Sequence, residues 1–111
     1  MSKGFAVYAR CNEQDDEAIN LQLATLITKI VKEYGVDLVK IFLFVDNGCS
    51  DDDPGRTGYK TLLKQIDEGE ESIEYIYVAD FSKLTNNTGE LKELVNLLVK
   101  HNIKVLCGKG K

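Results

Sequence analysis

One apolar run constrains the fold of this 111-residue chain more than any other feature in it. From Leu38 to Val45 only Lys40 interrupts hydrophobic sequence. A run of that length, without polar alternation, reads as an inner strand buried on both faces, and such strands belong to parallel sheets crossed by helices. The segment Phe5-Ala6-Val7-Tyr8-Ala9 reads as a second apolar strand, and it delivers a single arginine, Arg10, to its C-terminal end.

Hydrophobic spacing predicts the first strand over about residues 4–10. A long helix follows over about 14–34, with Ile19, Leu23, Leu26, Ile27, Ile30 and Tyr34 at helical intervals and Gly35 as its C-terminal cap. Asp46 to Arg56 holds the only proline, two glycines and four aspartates, and reads as an exposed loop. A short helix is expected at about 57–68, closed by Gly69, and a third strand from Ser72 to Val78. After the polar loop Asp80–Asn87, a helix begins near Asn87 or Thr88, where Glu90 would complete an approximate capping box. Its expected core stripe is Leu91, Leu94, Val95 and Leu98; Ile103–Cys107 is a fourth strand, and the Gly-Lys-Gly-Lys end is expected to fray. The expectation is an α/β fold: one domain, with a mainly parallel four-stranded sheet flanked by helices on both faces.

Composition narrows the function classes. Apolar residues make up 43% and charged residues 29%, as in ordinary globular domains. No stretch approaches the roughly 20 apolar residues of a membrane span, and the N-terminus lacks a signal-peptide pattern, so a cytoplasmic protein without a membrane partner is expected. Cys11, Cys49 and Cys107 are scattered and His101 is the single histidine, which argues for reduced, mostly buried thiols and against zinc. A net charge of −4 and a pI near 5.0 argue against strong non-specific nucleic-acid binding by this domain alone.

The parallel topology would bring three loops to one sheet edge: the turn after Arg10, the aspartate-rich loop, and the loop at 80–87. Arg10, Arg56 and Lys83 fall one in each, a set able to hold an anionic oxygen cluster without metal. Asp46, Asp51, Asp52 and Asp53 read as a solvated turn rather than a magnesium site, and no cofactor is expected. A phospho-acceptor receiver domain would need a carboxylate pair where Arg10-Cys11-Asn12 stands, so that reading fails. Strand alternation sends Cys11 toward the core, away from Asn12.

These residues, taken together, resemble the catalytic domain of the serine recombinases, the resolvase/invertase family. Tyr8-Ala9-Arg10 resembles its first-strand Tyr-x-Arg, and Ile19-Asn20-Leu21-Gln22 with Leu26 resembles its glutamine-bearing helix segment. Asp46-Asn47-Gly48-Cys49-Ser50 is similar to Asp-x-Gly-x-Ser, and Arg56-Thr57-Gly58-Tyr59 with Leu62-Leu63 to Arg-Pro-Gly-Phe and its paired leucines. The stretch Tyr77–Asn87 falls on Asp-Arg-Leu-Ser-Arg-Asn, with Leu84 and Asn87 matching. The resemblance implies a serine that attacks a DNA phosphodiester, surrounded by arginines and an aspartate.

Arg10, Gln22, Asp46, Ser50 and Arg56 keep the residue types that the resemblance implies, as phosphate- or DNA-binding candidates together with Lys83. The nucleophile position is Asn12, an amide that cannot attack. Ser82, Lys83 and Asn86 stand where the family has an aspartate and two arginines. The expectation is a catalytically inactive homologue with a binding or regulatory role, whose partners are DNA, an active recombinase, or a second copy in a homodimer. The family continues into a long dimerisation helix and a DNA-binding region; residues 1–111 are expected to be the catalytic-domain homologue alone, with no DNA-binding region visible. The alternative is a small-ligand or phosphate-binding α/β enzyme working at the same edge, with Asp46 or Asp80 as base; a mobile-element remnant without present function is a third reading.

Overall fold

The computed structural model describes residues 3–50, 55–69, 72–85 and 88–108. Their order is β1 (Lys3–Cys11), α1 (Asp16–Tyr34), β2 (Val39–Asn47), α2 (Thr57–Glu68), β3 (Tyr75–Val78), α3 (Thr88–His101) and β4 (Lys104–Cys107). Helix α1 starts where Asp15 accepts from the Ala18 amide at 3.1 Å, with Asp16 and Glu17 favourably placed at the positive end of its dipole. It stops at Gly35, whose φ of 89° is costly for any other residue and whose amide returns to the Val31 carbonyl.

All strand pairs are parallel and the spatial order is β2-β1-β3-β4. Alternation divides β1 between two cores. Ala6 and Tyr8 pack with Leu62, Ile66, Leu94 and Leu98 of α2 and α3, whereas Phe5 and Val7 pack with Leu26 and Ile30 of α1. The connection from β1 leads to β2 on one side, and the chain then returns across β1 to β3 on the other. The C-terminal ends of β1 and β3 therefore frame the point where strand order reverses, the place where open α/β sheets form a ligand crevice.

The fully covered strand is β1, with Phe5 to Ala9 each at 0% exposure, and not the run from Leu38 to Val45. That run becomes β2, an edge strand, on which Leu43 stays 50% exposed. Among the described residues a single α-helix covers the α1 side, and it leaves the outer part of β2 exposed. Three smaller expectations also change. β3 begins at Tyr75 rather than Ser72, because the preceding residues cross the start of β1: Glu74 donates to the Gly4 carbonyl at 2.8 Å, and a Cβ on Gly4 would lie 1.8 Å from the Ser72 oxygen. Val95 points outward while Leu97 packs against the core, since the inner stripe of α3 is centred on Leu94 and Leu98. The cysteines are half-buried rather than buried; Cys11 and Cys107 end β1 and β4, and Cys49 follows β2, at the rim of the helical layers.

Candidate functional site

Arg10 extends from β1 into the reversal crevice and closes it. It is 4% exposed, and its fork is engaged by three segments of the chain. Nε donates to the Lys83 carbonyl at 2.8 Å and Nη2 to the Ser82 carbonyl at 2.9 Å, which bridges β1 to the short 3₁₀ turn Phe81–Lys83. Nη1 donates to the Cys49 carbonyl at 3.1 Å and to Asn12 Oδ1 at 2.6 Å. Desolvating a guanidinium is costly, and a shell of fixed carbonyl dipoles offsets that cost.

Gln22 completes the sheet where β3 runs out. The β1–β3 ladder ends at Tyr8 paired with Val78, so Arg10 has no strand partner on that side. The Gln22 amide replaces one. Its Oε1 accepts from the Arg10 amide at 3.2 Å and its Nε2 donates to the Arg10 carbonyl at 3.0 Å, with Cys11 Sγ 3.5 Å from the same nitrogen. Cys11 accordingly faces α1 at the rim, not the interior that alternation alone assigned to it. A cleft of about 340 Å³ beside this amide is lined by Ala18, Leu21, Thr25, Leu26 and Ala79 and is almost wholly apolar, with little to hold an anion.

On the other face, Asp46 is the last buried residue of β2 rather than part of an exposed loop. Its carboxylate receives the Gly58 amide at 2.7 Å and the Tyr59 amide at 2.9 Å, and so caps α2 from a different element. Arg56, at the N-cap position, supplies no such side-chain bond. The negative charge meets the positive end of the helix dipole. Gly58 is required for that approach, since a Cβ there would lie 2.5 Å from the Val45 carbonyl oxygen.

The Tyr8 hydroxyl donates to Asp46 Oδ2 at 2.6 Å and accepts from Arg56 Nη2 at 3.2 Å. Burial, and then the hydrogen bond to Asp46, push the Tyr8 phenol well above its ordinary range. Arg56 is 2% exposed; it donates to the Leu84 carbonyl, lies 3.6 Å from Glu90 Oε1, and stacks 4.0 Å from the centre of the Tyr59 ring. Burial first, and then nearby Glu90, push the Tyr59 phenol up to about 12.

The topology thus brings together Arg10, Asn12, Gln22, Asp46, Arg56, Ser82 and Lys83. Ser50 is half-buried in the segment after β2. Ser82 and Lys83 contribute main-chain carbonyls to Arg10, and Lys83 O also lies 3.4 Å from Arg56 Nη2. Asn86 lies outside the described residues, as do Asp51 to Asp53 and Asn87. Among the described residues no group of three or more His, Cys, Asp or Glu is placed to hold a metal ion, and no helix is long and apolar enough to cross a membrane. Sequence reading left Tyr8, Glu90 and Thr85 out of the site. Thr85 Oγ1 donates to Glu90 at 2.8 Å, which extends the network to α3. Tyr8 was the legible one, since alternation puts it on the same strand face as Arg10.

The fold is similar to that of solved recombinase and integrase catalytic domains. The N-terminal catalytic domain of TP901-1 integrase superposes with a TM-score of 0.74 at 18% identity, covering 96% of this chain and 78% of that one. The C-terminal catalytic domain of ISC1926 TnpA, an IS607-like serine recombinase, gives 0.79 at 20% identity, with 97% and 69% covered. A resolvase family site-specific recombinase from Streptococcus pneumoniae gives 0.79 at 14% identity, with 97% and 73% covered. No curated protein sequence matches. Likeness at such identities establishes the fold; the family follows from the sequence itself, which matches the resolvase N-terminal domain over residues 5–111. Matched over nearly its whole length, the chain belongs to the resolvase N-terminal domain family.

Proposed function

We propose that this domain is a member of the resolvase family that does not cleave DNA and acts by binding or regulation, alone or beside an active recombinase. The observation that carries the reading is residue 12. At the position that the family motif gives to the nucleophile stands an exposed amide, whose oxygen already accepts from Arg10 at 2.6 Å. An amide has no lone pair of useful nucleophilicity, and none of the neighbouring groups changes that. Ser82 and Lys83 support the same reading, because both meet Arg10 through main-chain oxygens that any residue would offer.

Partners follow from what remains. The framework of the strand-exchange fold is kept, so DNA, a second copy of the chain and a catalytically competent relative are the three surfaces it is suited to meet. The likeness to an integrase and to a TnpA recombinase supports a setting in a mobile element. The test is direct. Asn12→Ser is incubated with supercoiled plasmid, and nicked product and covalent protein–DNA adduct are measured. Neither is expected, because position 12 is one of several departures. Strand cleavage by the wild type, or its revival by that one substitution, overturns the reading.

A further inference from the structure

We infer that the outer edge of β2 is a pairing surface for a second copy of this chain, joined antiparallel about a two-fold axis at Leu43. The inference rests on the reading that a second copy is among the partners, and it names the surface. That surface is distinct from the long helix that the resemblance associates with dimerisation. β2 is where sequence and structure disagree most. Its apolar run has the composition of a strand with a neighbour on each side, yet β1 is its one neighbour among the described residues. Leu43 and Val45 stay exposed on the α1 side, and Leu38, just ahead of the strand, is 55% exposed. A further strand beside β2 supplies the cover that this composition requires.

The backbone points the same way. Every second residue of an edge strand turns its N–H and C=O away from the sheet. Among the described residues no main-chain hydrogen bond reaches β2 from that outer side. Open edges are ordinarily protected by brevity, proline, a bulge or several charges. β2 runs for nine residues without proline, its register with β1 is unbroken, and Lys40 is its single cation. The opposite edge strand, β4, is only four residues long.

The sequence of the strand selects a copy of itself as the partner. Directly opposed residues of an antiparallel pair share a sheet face, so a two-fold pairing sets odd residues against odd ones and even against even. Centred on Leu43, it sets Leu43 against Leu43 and Ile41 against Val45 on the α1 side, and Phe42 against Phe44 on the other. Lys40 then falls opposite Asp46, the one carboxylate of the strand, and symmetry makes that pairing twice. Centring one residue earlier sets Lys40 against Phe44, and one residue later sets Asp46 against Phe42. The Leu43 register alone matches apolar with apolar and each charge with its opposite.

The experiment measures sedimentation of the full chain over a range of concentrations. Wild type, Leu43→Lys, Leu43→Glu and an equimolar mixture of the two variants are compared. Wild type is expected to form a dimer. Each variant sets like charges against each other on the axis and is expected to raise the dissociation constant at least about tenfold. The mixture sets opposite charges there and is expected to recover the dimer. Val99→Lys, at an exposed apolar position of α3, is expected to leave association unchanged. Should the Leu43 variants fail to fold, amide hydrogen exchange of the wild type decides: protection is expected to rise with concentration in β2 and not in β4. A chain that is monomeric at every concentration, a dimer that Leu43→Lys leaves intact, or protection that rises in β4 or α3 instead of β2 overturns the inference. A monomer leaves the cleavage-inactive reading standing, whereas plasmid nicking overturns that reading without touching the strand interface.

Discussion

The two faces of β1 are closed by different kinds of matter. Toward α1, hydrocarbon does the work: Phe5, Val7, Leu26 and Ile30 are all at or below 1% exposure, and polar links lie at the margins, among them the Gln22 amide at the strand's end. Toward α2 and α3 the core continues upward into charge, with Tyr8, Asp46 and Arg56 buried together and reaching Glu90 at the rim. The first kind of packing depends chiefly on filled volume. The second is all or nothing, because each group left unpartnered in a low-dielectric interior carries its full desolvation cost. The face with the charges also carries the candidate residues Asp46 and Arg56, so the same side chains that the resemblance singles out serve as framework.

The sharpest way to break this contrast is to remove one charge from the second face. Asp46→Ala leaves two helix amides and the Tyr8 hydroxyl without their acceptor, and is expected to cost ~3–5 kcal/mol in urea denaturation. Leu26→Ala on the opposite face, a cavity alone, is expected to cost ~2–5 kcal/mol. The two differ in kind: restoring volume with Met rescues position 26, whereas only Asn, by keeping one oxygen, partly rescues position 46. An Asp46→Ala loss below ~1 kcal/mol would mean that the carboxylate is not what docks α2.

A smaller effect on the charged face depends on pH. The Tyr59 phenol is held up to about 12 in the folded protein against about 10 unfolded, so above pH 10 the folded state retains a proton that the unfolded chain releases. Stability is therefore unaffected by this group below pH 10 and falls as pH rises toward 12, by ~2–3 kcal/mol over the window. Tyr59→Phe should remove that loss. It should also be neutral or slightly stabilising at pH 7, because the buried hydroxyl has no hydrogen-bond partner among the described residues. Melting curves at pH 7 and pH 11 test both statements, and an alkaline loss unchanged by the substitution would refute them.

The smallest effect belongs to the Gln22 link on the apolar face. Gln22→Leu keeps volume but strips the Arg10 peptide of both partners, at an expected cost of ~1–2 kcal/mol. Hydrogen exchange at the Arg10 amide should rise more than at Val7, five residues of buried strand having been left intact. Equal rises at both would show that Gln22 supports the whole strand and not its end.

Much of this was legible beforehand. Element order, parallel pairing and the two-sided helical cover follow from apolar spacing and from Gly35 and Gly69 as stops, and the motif residues were readable in register. The edge position of β2 was not, because an apolar run reports burial and not which neighbours supply it. Val95 failed for a related reason: helical period places it beside the core stripe, and the rotation of α3 against the sheet sets it outside. Arg10, Arg56 and Asp46 were legible as a charged group at one edge, but not as buried.

The sequence by itself determined the fold class and the family, because both rest on local properties: period, turn chemistry and residue identity along the chain. It also determined that position 12 has no nucleophile. Only the tertiary structure decided what the charged residues do. Whether an arginine faces solvent or sits at 4% exposure depends on carbonyls from segments about 40 and 70 residues away, whose positions are set by how the helices pack on the sheet. No local signal encodes that distance, so the pairing of Arg10 with Asn12 and three main-chain oxygens appears only once the sheet has closed.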